Sequence, residues 1–379
     1  MACRCEGGAR FLGVEMTVPK SCGNRASRGT EKNLMRQLTF IAPGRFEWHD
    51  VPRPQLSAPA DALVRPLAVA RCDLDLYIAT GAAARFKGPF AIGHEAVGVV
   101  TEAGEAAGVV PGDRVVVPFQ LSCGRCDNCR RGLTNTCSAY PPRAAFGLKP
   151  SCGTEFGGAI SELMRVPFAD HMLVKVPDSV DAIEIASVAD NISDGWRAVA
   201  PLLKARPGAS VLVVGGLGQS ISLYAAGLAA SLGAGKVLYL DDNAERRAIA
   251  QRMGALAEPL ALADRTPAAD QFEITVDGSG DSQALRFAIA STQCNGTITI
   301  ISMYEGVPVQ LPLGLMYAKG ITLITGRVQA RTEIPDVLAH CMHKHFHPSA
   351  VTSRVVPFSN APDGFLDPGP KIVFTNDLS

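Results

Sequence analysis

The chain lacks an excess of charge of either sign and lacks any long apolar run. Its 36 lysines and arginines are balanced by 36 aspartates and glutamates, so a surface for nucleic acid or for an anionic membrane is not indicated. No uninterrupted apolar segment reaches the roughly 20 residues that a membrane-spanning helix needs, and the N-terminus has no apolar secretory core. We expect a cytoplasmic protein whose partners are small molecules.

A disulfide framework is also not indicated. Eleven cysteines in 379 residues without a secretory signal are typical of metal ligands and free thiols. The length and the hydrophobic content of 47% predict two domains with a large core. Residues 1–34 show no hydrophobic period, and we expect a disordered extension there.

One stretch of the chain carries four closely spaced cysteines in a polar loop. A set of four thiolates fills a tetrahedral zinc ion and leaves no open position, so such a metal holds a loop together without activating a substrate. The alternative is a group of reduced thiols, although the polarity of the loop argues against their burial as small hydrophobes. The predicted structural zinc ligands are Cys123, Cys126, Cys129 and Cys137.

The pattern of apolar segments predicts an α/β fold. Residues 35–185 contain short β-branched segments broken by glycine and proline, which is typical of a compact β domain. From residue 186 to residue 324, continuous apolar strands alternate with helical segments, which predicts a doubly wound parallel sheet. We expect residues 325–379 to return to the first domain.

A second group of residues predicts a metal site of a different kind. Cys72 and His94 both lie at strand or turn boundaries, and Glu95 follows His94 directly. A thiolate and an imidazole, completed by one anionic ligand, leave a fourth zinc position open for a water or a substrate oxygen. The alternative is a buried thiol and a satisfied core histidine.

These motifs resemble the zinc-containing medium-chain alcohol dehydrogenases. Gly93-His94-Glu95, the four-cysteine lobe and a glycine-rich turn occur in the order of that family, over roughly residues 35 to 375. The resemblance implies a GroES-like catalytic domain, a Rossmann NAD-binding domain and two zinc ions per subunit. It also implies an alcohol or aldehyde substrate and a homo-dimer or homo-tetramer.

The resemblance also assigns the residues around the catalytic zinc. Asp75, at the third position after Cys72, would orient His94, and Glu95 could approach the metal and assist ligand exchange. The third ligand matches Asp190, just before the helix that joins the domains. Two alternatives stay open: Asp190 could cap that helix, and Cys152 could be the ligand instead.

A glycine-rich turn follows the apolar strand Val211–Val214 and predicts a dinucleotide site. The turn contains Gly215, Gly216 and Gly218, and Ser220 is small enough for close helix packing. Asp241, the first acid after the next strand, is placed to accept both ribose hydroxyls, and its charge favours NAD over NADP. We interpret Arg246 and Arg247 as surface charges.

The chain departs from the family at the proton relay. Leu74 stands where many members have serine or threonine, so we consider Tyr77 and Asp194 as alternative proton carriers. Tyr77 could instead be a packing residue. The resemblance places Asp194 beside the nicotinamide, so it is also a candidate cofactor-binding residue that could alter cofactor affinity. The family match predicts an NAD-dependent zinc oxidoreductase. Two alternatives remain: NAD-dependent aldehyde oxidation or dismutation at the same zinc, and a non-catalytic zinc-binding or thiol-sensing protein.

Overall fold

A computed structural model describes residues 33–148, 156–263, 271–304, 308–342 and 346–378. Residues 34–379 group as one compact unit. The predicted disorder of residues 1–34 falls almost wholly outside the described residues, as does the competing ligand Cys152.

The first part of the chain and its last strands form two mostly antiparallel sheets. A small sheet has the order β2-β1-β4, and a larger one has the order β15-β16-β3-β5-β6-β8 with β7 paired to β3. Residues 352–375 therefore join the sheet built by residues 62–175. The strands are β1 (Leu34–Ala42), β2 (Arg45–Pro52), β3 (Ala62–Ala70), β4 (Phe90–Ala91), β5 (Glu95–Ala103), β6 (Arg114–Val117), β7 (Met164–Val166), β8 (Val174–Lys175), β15 (Thr352–Pro357) and β16 (Lys371–Thr375).

The remaining strands form one six-stranded parallel sheet. Its order is β11-β10-β9-β12-β13-β14, and every neighbouring pair is parallel. This is the strand order of a doubly wound dinucleotide-binding sheet, whose crevice opens between β9 and β12 where the order reverses. The predicted α/β fold class is confirmed. The strands are β9 (Ser210–Val214), β10 (Lys236–Leu240), β11 (Leu256–Glu258), β12 (Phe272–Asp277), β13 (Thr292–Ile300) and β14 (Thr322–Ile324).

Eleven helices are present among the described residues, and two of them position the site. One of these, α6, consists almost entirely of small and apolar residues, which fits its burial against β9, β10 and β12. The other, α5, packs along α6 and begins beside the crevice. The helices are α1 (Asp73–Thr80), α2 (Asp127–Arg130), α3 (Ala169–Met172), α4 (Ala182–Ile185), α5 (Asn191–Ala205), α6 (Gln219–Ser231), α7 (Ala244–Arg252), α8 (Ser282–Ser291), α9 (Leu313–Lys319), α10 (Ala330–Cys341) and α11 (Ala361–Gly364).

Among the described residues, none of the helices combines the length and the apolar character needed to cross a membrane. The core has a large hydrophobic cluster that joins the larger antiparallel sheet to the parallel sheet through α5 and α6. A second cluster lies inside the first β region.

A buried arginine ties β3 to the chain just before β16. Arg71 is 2% exposed, and its guanidinium donates to the carbonyl oxygens of Phe365, Asp367 and Gly369 at 2.7 to 2.8 Å. A buried carbonyl that loses its donor costs free energy, so this one side chain satisfies three acceptors at once. It therefore fixes the end of β3, from which the site residues follow.

We predict that Arg71→Met lowers the free energy of unfolding by at least about 2 kcal/mol, because one buried and two partly buried carbonyl oxygens lose a charged donor. Arg65→Met, at an exposed position of the same strand, should change it by less than about 0.5 kcal/mol. Urea denaturation measures both. Equal effects of the two substitutions would contradict the role of Arg71.

A candidate metal centre beside a candidate nucleotide cleft

Four potential ligands from three distant segments meet at one point. Cys72 precedes α1, His94 and Glu95 lie at the start of β5, and Asp190 precedes α5. One ligand atom from each of them lies within 4.8 Å of all the others, and all four residues are buried. The structure thus brings together the residues predicted for the catalytic zinc.

The imidazole of His94 is held between two carboxylates. Its Nδ1 lies 3.5 Å from Asp75 Oδ1, and its Nε2 lies 3.4 Å from Asp190 Oδ2. Among the residues that the structure describes, no hydrogen-bond partner is found for either buried ring nitrogen or for Asp75 Oδ1. A metal ion ligated by Nε2 would satisfy the ring on one side, while Asp75 orients it on the other. The donor set therefore fits zinc.

Burial and crowding of negative charge perturb this cluster. Burial, followed by the charges of Asp190 and Glu95, raises the pKa of Cys72. Burial likewise raises the pKa of Glu95 to about 7, against the opposing charge of Lys371. A divalent cation would relieve both effects, because it stabilises the thiolate and the carboxylates.

The capping alternative for Asp190 is not supported. Asp190 stands at the N-cap of α5, yet its side chain makes no capping hydrogen bond there. Its carboxylate faces His94 instead. The ligand role of Asp190 remains a prediction, now with the geometry that it requires.

Sequence reasoning missed two residues that support the cluster. Asn191 Nδ2 donates to Cys72 Sγ at 3.3 Å and to Asp190 Oδ2 at 3.1 Å. The fully buried Lys371 donates to Glu95 at 3.2 Å and to Asn191 Oδ1 at 2.6 Å. Asn191 is adjacent in sequence to Asp190 and could have been noticed. Lys371 gives no local signal, because its partner is 276 residues away.

The four-cysteine lobe forms a separate, compact cluster. The sulfur atoms of Cys123, Cys126, Cys129 and Cys137 lie within 4.8 Å of one another. Backbone N–H groups point at these sulfurs, and the N–H of Cys129 is the main cause that lowers the pKa of Cys126 to about 5. Four converging sulfurs with amide donors fit a closed structural zinc site.

A cavity of about 680 Å³ connects the metal centre to the glycine-rich turn. Cys72, His94 and Asp190 line one end of it, and Leu217 and Gly218 line the other. The cavity therefore has room for a small substrate and for the nicotinamide half of a dinucleotide.

The glycine-rich turn is packed tightly against the strand end of β12. Gly216 has φ +152°, and a Cβ there would lie 2.7 Å from Ser279 Cα, so only glycine fits. The N–H groups of Leu217 and Gly218 donate to the carbonyl oxygens of Ser279 and Gly278. These two amides, which the family fold would present to a pyrophosphate, are used within the protein.

Two amides that follow Gln219 are also occupied. The N–H of Ser220 donates to Asp73 at 3.0 and 3.1 Å, its hydroxyl donates to Asp73 at 2.9 Å, and the N–H of Ile221 donates to Asp73 at 3.3 Å. Ser220 is fully buried, as close helix packing requires. Asp73 was not among the predicted site residues.

Asp241 is saturated by donors of the protein itself. Its Oδ1 accepts from Asn243 N and Arg246 Nη2, and its Oδ2 accepts from the Tyr239 hydroxyl and Arg246 Nε, at 2.7 to 2.8 Å. A carboxylate has about four acceptor positions, so none is left for a ribose. The interpretation of Arg246 as a surface charge is wrong, since its side chain is 15% exposed and pairs with Asp241. Arg247 donates to the Asp241 carbonyl.

The three residues considered for the proton relay differ in their surroundings. Leu74 packs on the core of the first β region. Tyr77 donates its hydroxyl to Leu217 O at 2.8 Å, and burial raises its pKa to about 12. Asp194 pairs with Arg197 at 2.5 Å, and burial raises its pKa to about 6. All three line the cavity.

The site thus fits zinc and only half of a dinucleotide. The nicotinamide end has space beside the metal centre, whereas the donors for the pyrophosphate and the acceptor for the ribose are engaged by Asp73 and Arg246. Among the described residues, the amides of Leu217, Gly218, Ser220 and Ile221 and the carboxylate of Asp241 are already engaged by groups of the chain itself.

Comparisons with known proteins agree with this architecture. Residues 58–178 match the family model for the alcohol dehydrogenase GroES-like domain. L-threonine 3-dehydrogenase of Streptomyces avermitilis is 31% identical over 268 residues, which are 67% of this chain and 72% of that protein. A probable zinc-binding alcohol dehydrogenase of Mycobacterium tuberculosis is 26% identical over 87% of this chain and 84% of its own length. An alcohol dehydrogenase structure from Thermus sp. ATN1 has a TM-score of 0.81 at 27% identity, covering 90% of this chain and 100% of that one.

A GroES-like β region and a doubly wound sheet that share a cysteine, histidine and carboxylate cluster define a zinc-type oxidoreductase. The chain belongs to the zinc-containing medium-chain alcohol dehydrogenase family. The predicted family is confirmed.

We predict that Asp190→Ala lowers the zinc content from two ions per chain to one, because the open site loses an anionic ligand. Cys137→Ser should remove the other ion and leave the first in place. Elemental analysis of each purified variant, combined with thermal unfolding, separates the two sites. Two zinc ions per chain in Asp190→Ala would contradict the ligand assignment.

Proposed function

We propose that the chain is a zinc-dependent dehydrogenase that transfers hydride between an alcohol or carbonyl compound and NAD(H). The observation that carries this proposal is the position of Cys72, His94 and Asp190 at the end of a cavity that continues to the glycine-rich turn. Such a cavity can hold a reacting carbon between a metal and a nicotinamide ring.

Each supporting residue has a definable role. When bound, zinc would supply a Lewis acid that polarises the substrate oxygen. Asp75 holds His94 with Nε2 toward the ligand cluster, and Asn191 donates a hydrogen bond to Cys72 Sγ. Lys371 offsets the charge of Glu95. Phe119 and Ile300 give the cavity apolar walls that exclude water.

Asp194 is the best candidate for the proton acceptor. Because Leu74 cannot carry a proton and Tyr77 holds its own with a raised pKa, Asp194 is the more suitable of the two carriers considered. Its pKa of about 6 keeps it ionised at neutral pH. This pKa also lies near neutral pH, as a proton acceptor requires.

NAD remains our proposed cofactor because an acid, Asp241, directly follows β10. Arg246 neutralises this acid, however, and a guanidinium is also suited to a 2′-phosphate.

The absence of a hydroxyl at Leu74 favours a second candidate, aldehyde oxidation or dismutation at the same zinc.

We also propose a homo-dimer or homo-tetramer. Support comes from apolar side chains exposed near the edge of the parallel sheet, where Leu313 is 66% and Tyr317 is 91% exposed and Ile324 lies on the edge strand β14. Exposed apolar patches of this kind are typical of subunit interfaces.

We predict NAD-linked oxidation of at least one alcohol in a screen of primary, secondary, aromatic and polyol substrates. Asp194→Asn should lower kcat at least about tenfold, because the proton acceptor is removed. Tyr77→Phe is the control and should change kcat less than about threefold. Absorbance of NADH and NADPH at fixed zinc content is the measurement. Turnover with neither coenzyme, with both zinc ions present, would contradict the proposed function.

A further inference from the structure

An internal carboxylate occupies the position where a dinucleotide would place its pyrophosphate. Asp73 is 8% exposed and accepts three hydrogen bonds from Ser220 and one from Ile221, at the first turn of the 13-residue helix α6. A helix N-terminus stabilises an anion through its free amides and its dipole. Asp73 therefore gains the same interactions that a bound phosphate would need.

The contacts of Asp73 are reinforced from the opposite side. Ser220 Oγ donates to Asp73 and also lies 2.9 Å from Asn191 Oδ1. The same Asn191 Oδ1 accepts a hydrogen bond from Lys371 Nζ. The network is therefore continuous with the metal centre. Because Asp73 follows Cys72 directly in the chain, a movement of Asp73 away from α6 also shifts the backbone beside that ligand.

The ribose acceptor is closed in a comparable way. Arg246 binds both oxygens of Asp241, and the Tyr239 hydroxyl lies 2.5 Å from the position of a Cβ on Gly215. Two independent contacts thus fill the pyrophosphate and ribose positions with groups of the chain itself.

We propose that Asp73 is an intramolecular competitor of the dinucleotide pyrophosphate and sets the affinity for the coenzyme. The inference rests on the proposed function, since it assumes that a dinucleotide enters this cleft. A coenzyme must displace a carboxylate from α6 and then tolerate its charge nearby. Both effects weaken binding, and removal of the charge reverses both.

The test is Asp73→Asn, which keeps the shape of the side chain and removes its charge. We expect the Kd for NADH, measured by fluorescence titration at low and high salt, to fall at least about tenfold. Asp181→Asn is the matched control, because Asp181 caps α4 away from the cleft, and it should leave the Kd unchanged. Zinc content and thermal unfolding verify that each variant is folded.

The outcomes separate the inference from the function on which it rests. If the unmodified chain binds NADH and Asp73→Asn binds it no more tightly, the competitor role is wrong while the proposed function stands. If only Asp73→Asn binds NADH, the inference is supported in its strongest form. If neither protein binds NADH or NADPH at millimolar concentration, both the inference and the proposed coenzyme are wrong.

Three arginines, Arg85, Arg143 and Arg327, line the cavity and come from three separate segments of the chain. Burial and then the charge of Asp190 act on the pKa of Arg327, in opposite directions, so its guanidinium lies near the metal end of the cavity. Arg143 has a φ of +69°, a backbone conformation that non-glycine residues adopt at a cost and that concentrates at functional sites.

The positive charge of Arg143 affects the two other arginines of the cavity. Arg143 lowers the pKa of Arg85 and of Arg327, although burial is the larger cause for both. Of the two acids beside Arg327, Asp190 faces His94 and Asp194 is paired with Arg197. The part of the cavity wall formed by Arg143 and Arg327 therefore favours an incoming anion, whereas Asp73 places a negative charge elsewhere on the lining.

We infer that the substrate carries an acidic group, a carboxylate or a phosphate ester, several bonds from the reacting oxygen. Arginine suits both groups because its planar guanidinium binds two oxygens at once. This inference also rests on the proposed function, and it is independent of the role of Asp73.

The test compares 4-hydroxybutanoate, 4-hydroxybutyl phosphate and 1-butanol as substrates, whose reacting ends are alike. We expect kcat/KM for at least one of the two anions to exceed that for 1-butanol at least about tenfold. Arg143→Gln and Arg327→Gln should raise KM for that anion and leave KM for 1-butanol unchanged. Arg131→Gln, in the exposed part of the four-cysteine lobe, is the control.

A preference for 1-butanol over both anions would contradict the inference while the proposed function stands. A weaker NADH affinity in the arginine variants, without a change in KM for the anion, would assign the arginines to the coenzyme and also overturn it. If the protein with both zinc ions bound oxidises none of the three compounds, this result would count against the substrate inference and against the proposed function.

Discussion

The structure depends on a group of ionisable side chains that the chain buries between its larger antiparallel sheet and the start of α5. A thiol, an imidazole and two carboxylates lie within 4.8 Å of one another, and the Lys371 ammonium donates to one of these carboxylates, that of Glu95. Burial of unpaired charge costs several kcal/mol per ion, so such a cluster either keeps some of its groups neutral or binds a cation. A divalent metal held by Cys72, His94 and Asp190 would supply such a cation and would also engage the open side of His94.

The metal centre and the nucleotide cleft are joined through neighbouring residues. Cys72 belongs to the first and Asp73 to the second, and Asn191 contacts Cys72 while it approaches Ser220 at the start of α6. The two sites are therefore linked by covalent neighbours and by a short chain of buried hydrogen bonds. This arrangement gives a physical reason for coupling between metal binding and coenzyme binding.

Sequence reasoning recovered those parts of the site that have local patterns. The four cysteines are close in sequence, and Gly93-His94-Glu95 and the turn at Gly215 lie beside strands that their apolar pattern indicates. The parallel sheet was predictable for the same reason. The resemblance to a family then supplied Asp190, for which the structure provides the required geometry.

The other features arise from contacts between distant segments, which a single sequence does not encode in a visible pattern. Asp73 meets Ser220 across 147 residues, and Lys371 meets Glu95 across 276. Arg246 was misread because its helix could be predicted while the face that turns toward Asp241 could not. A charged residue in an exposed-looking helix gives no indication of a buried partner.

The central claim is that the cluster around His94 holds a metal with an open position, distinct from the closed four-cysteine site. Replacement of zinc by cobalt tests it most directly, because the visible spectrum of cobalt reports its ligands. We expect two cobalt ions per chain and a visible spectrum that changes when imidazole is added, because imidazole can bind cobalt at a free coordination position. One cobalt ion per chain, or two with a spectrum that imidazole leaves unchanged, would contradict the account.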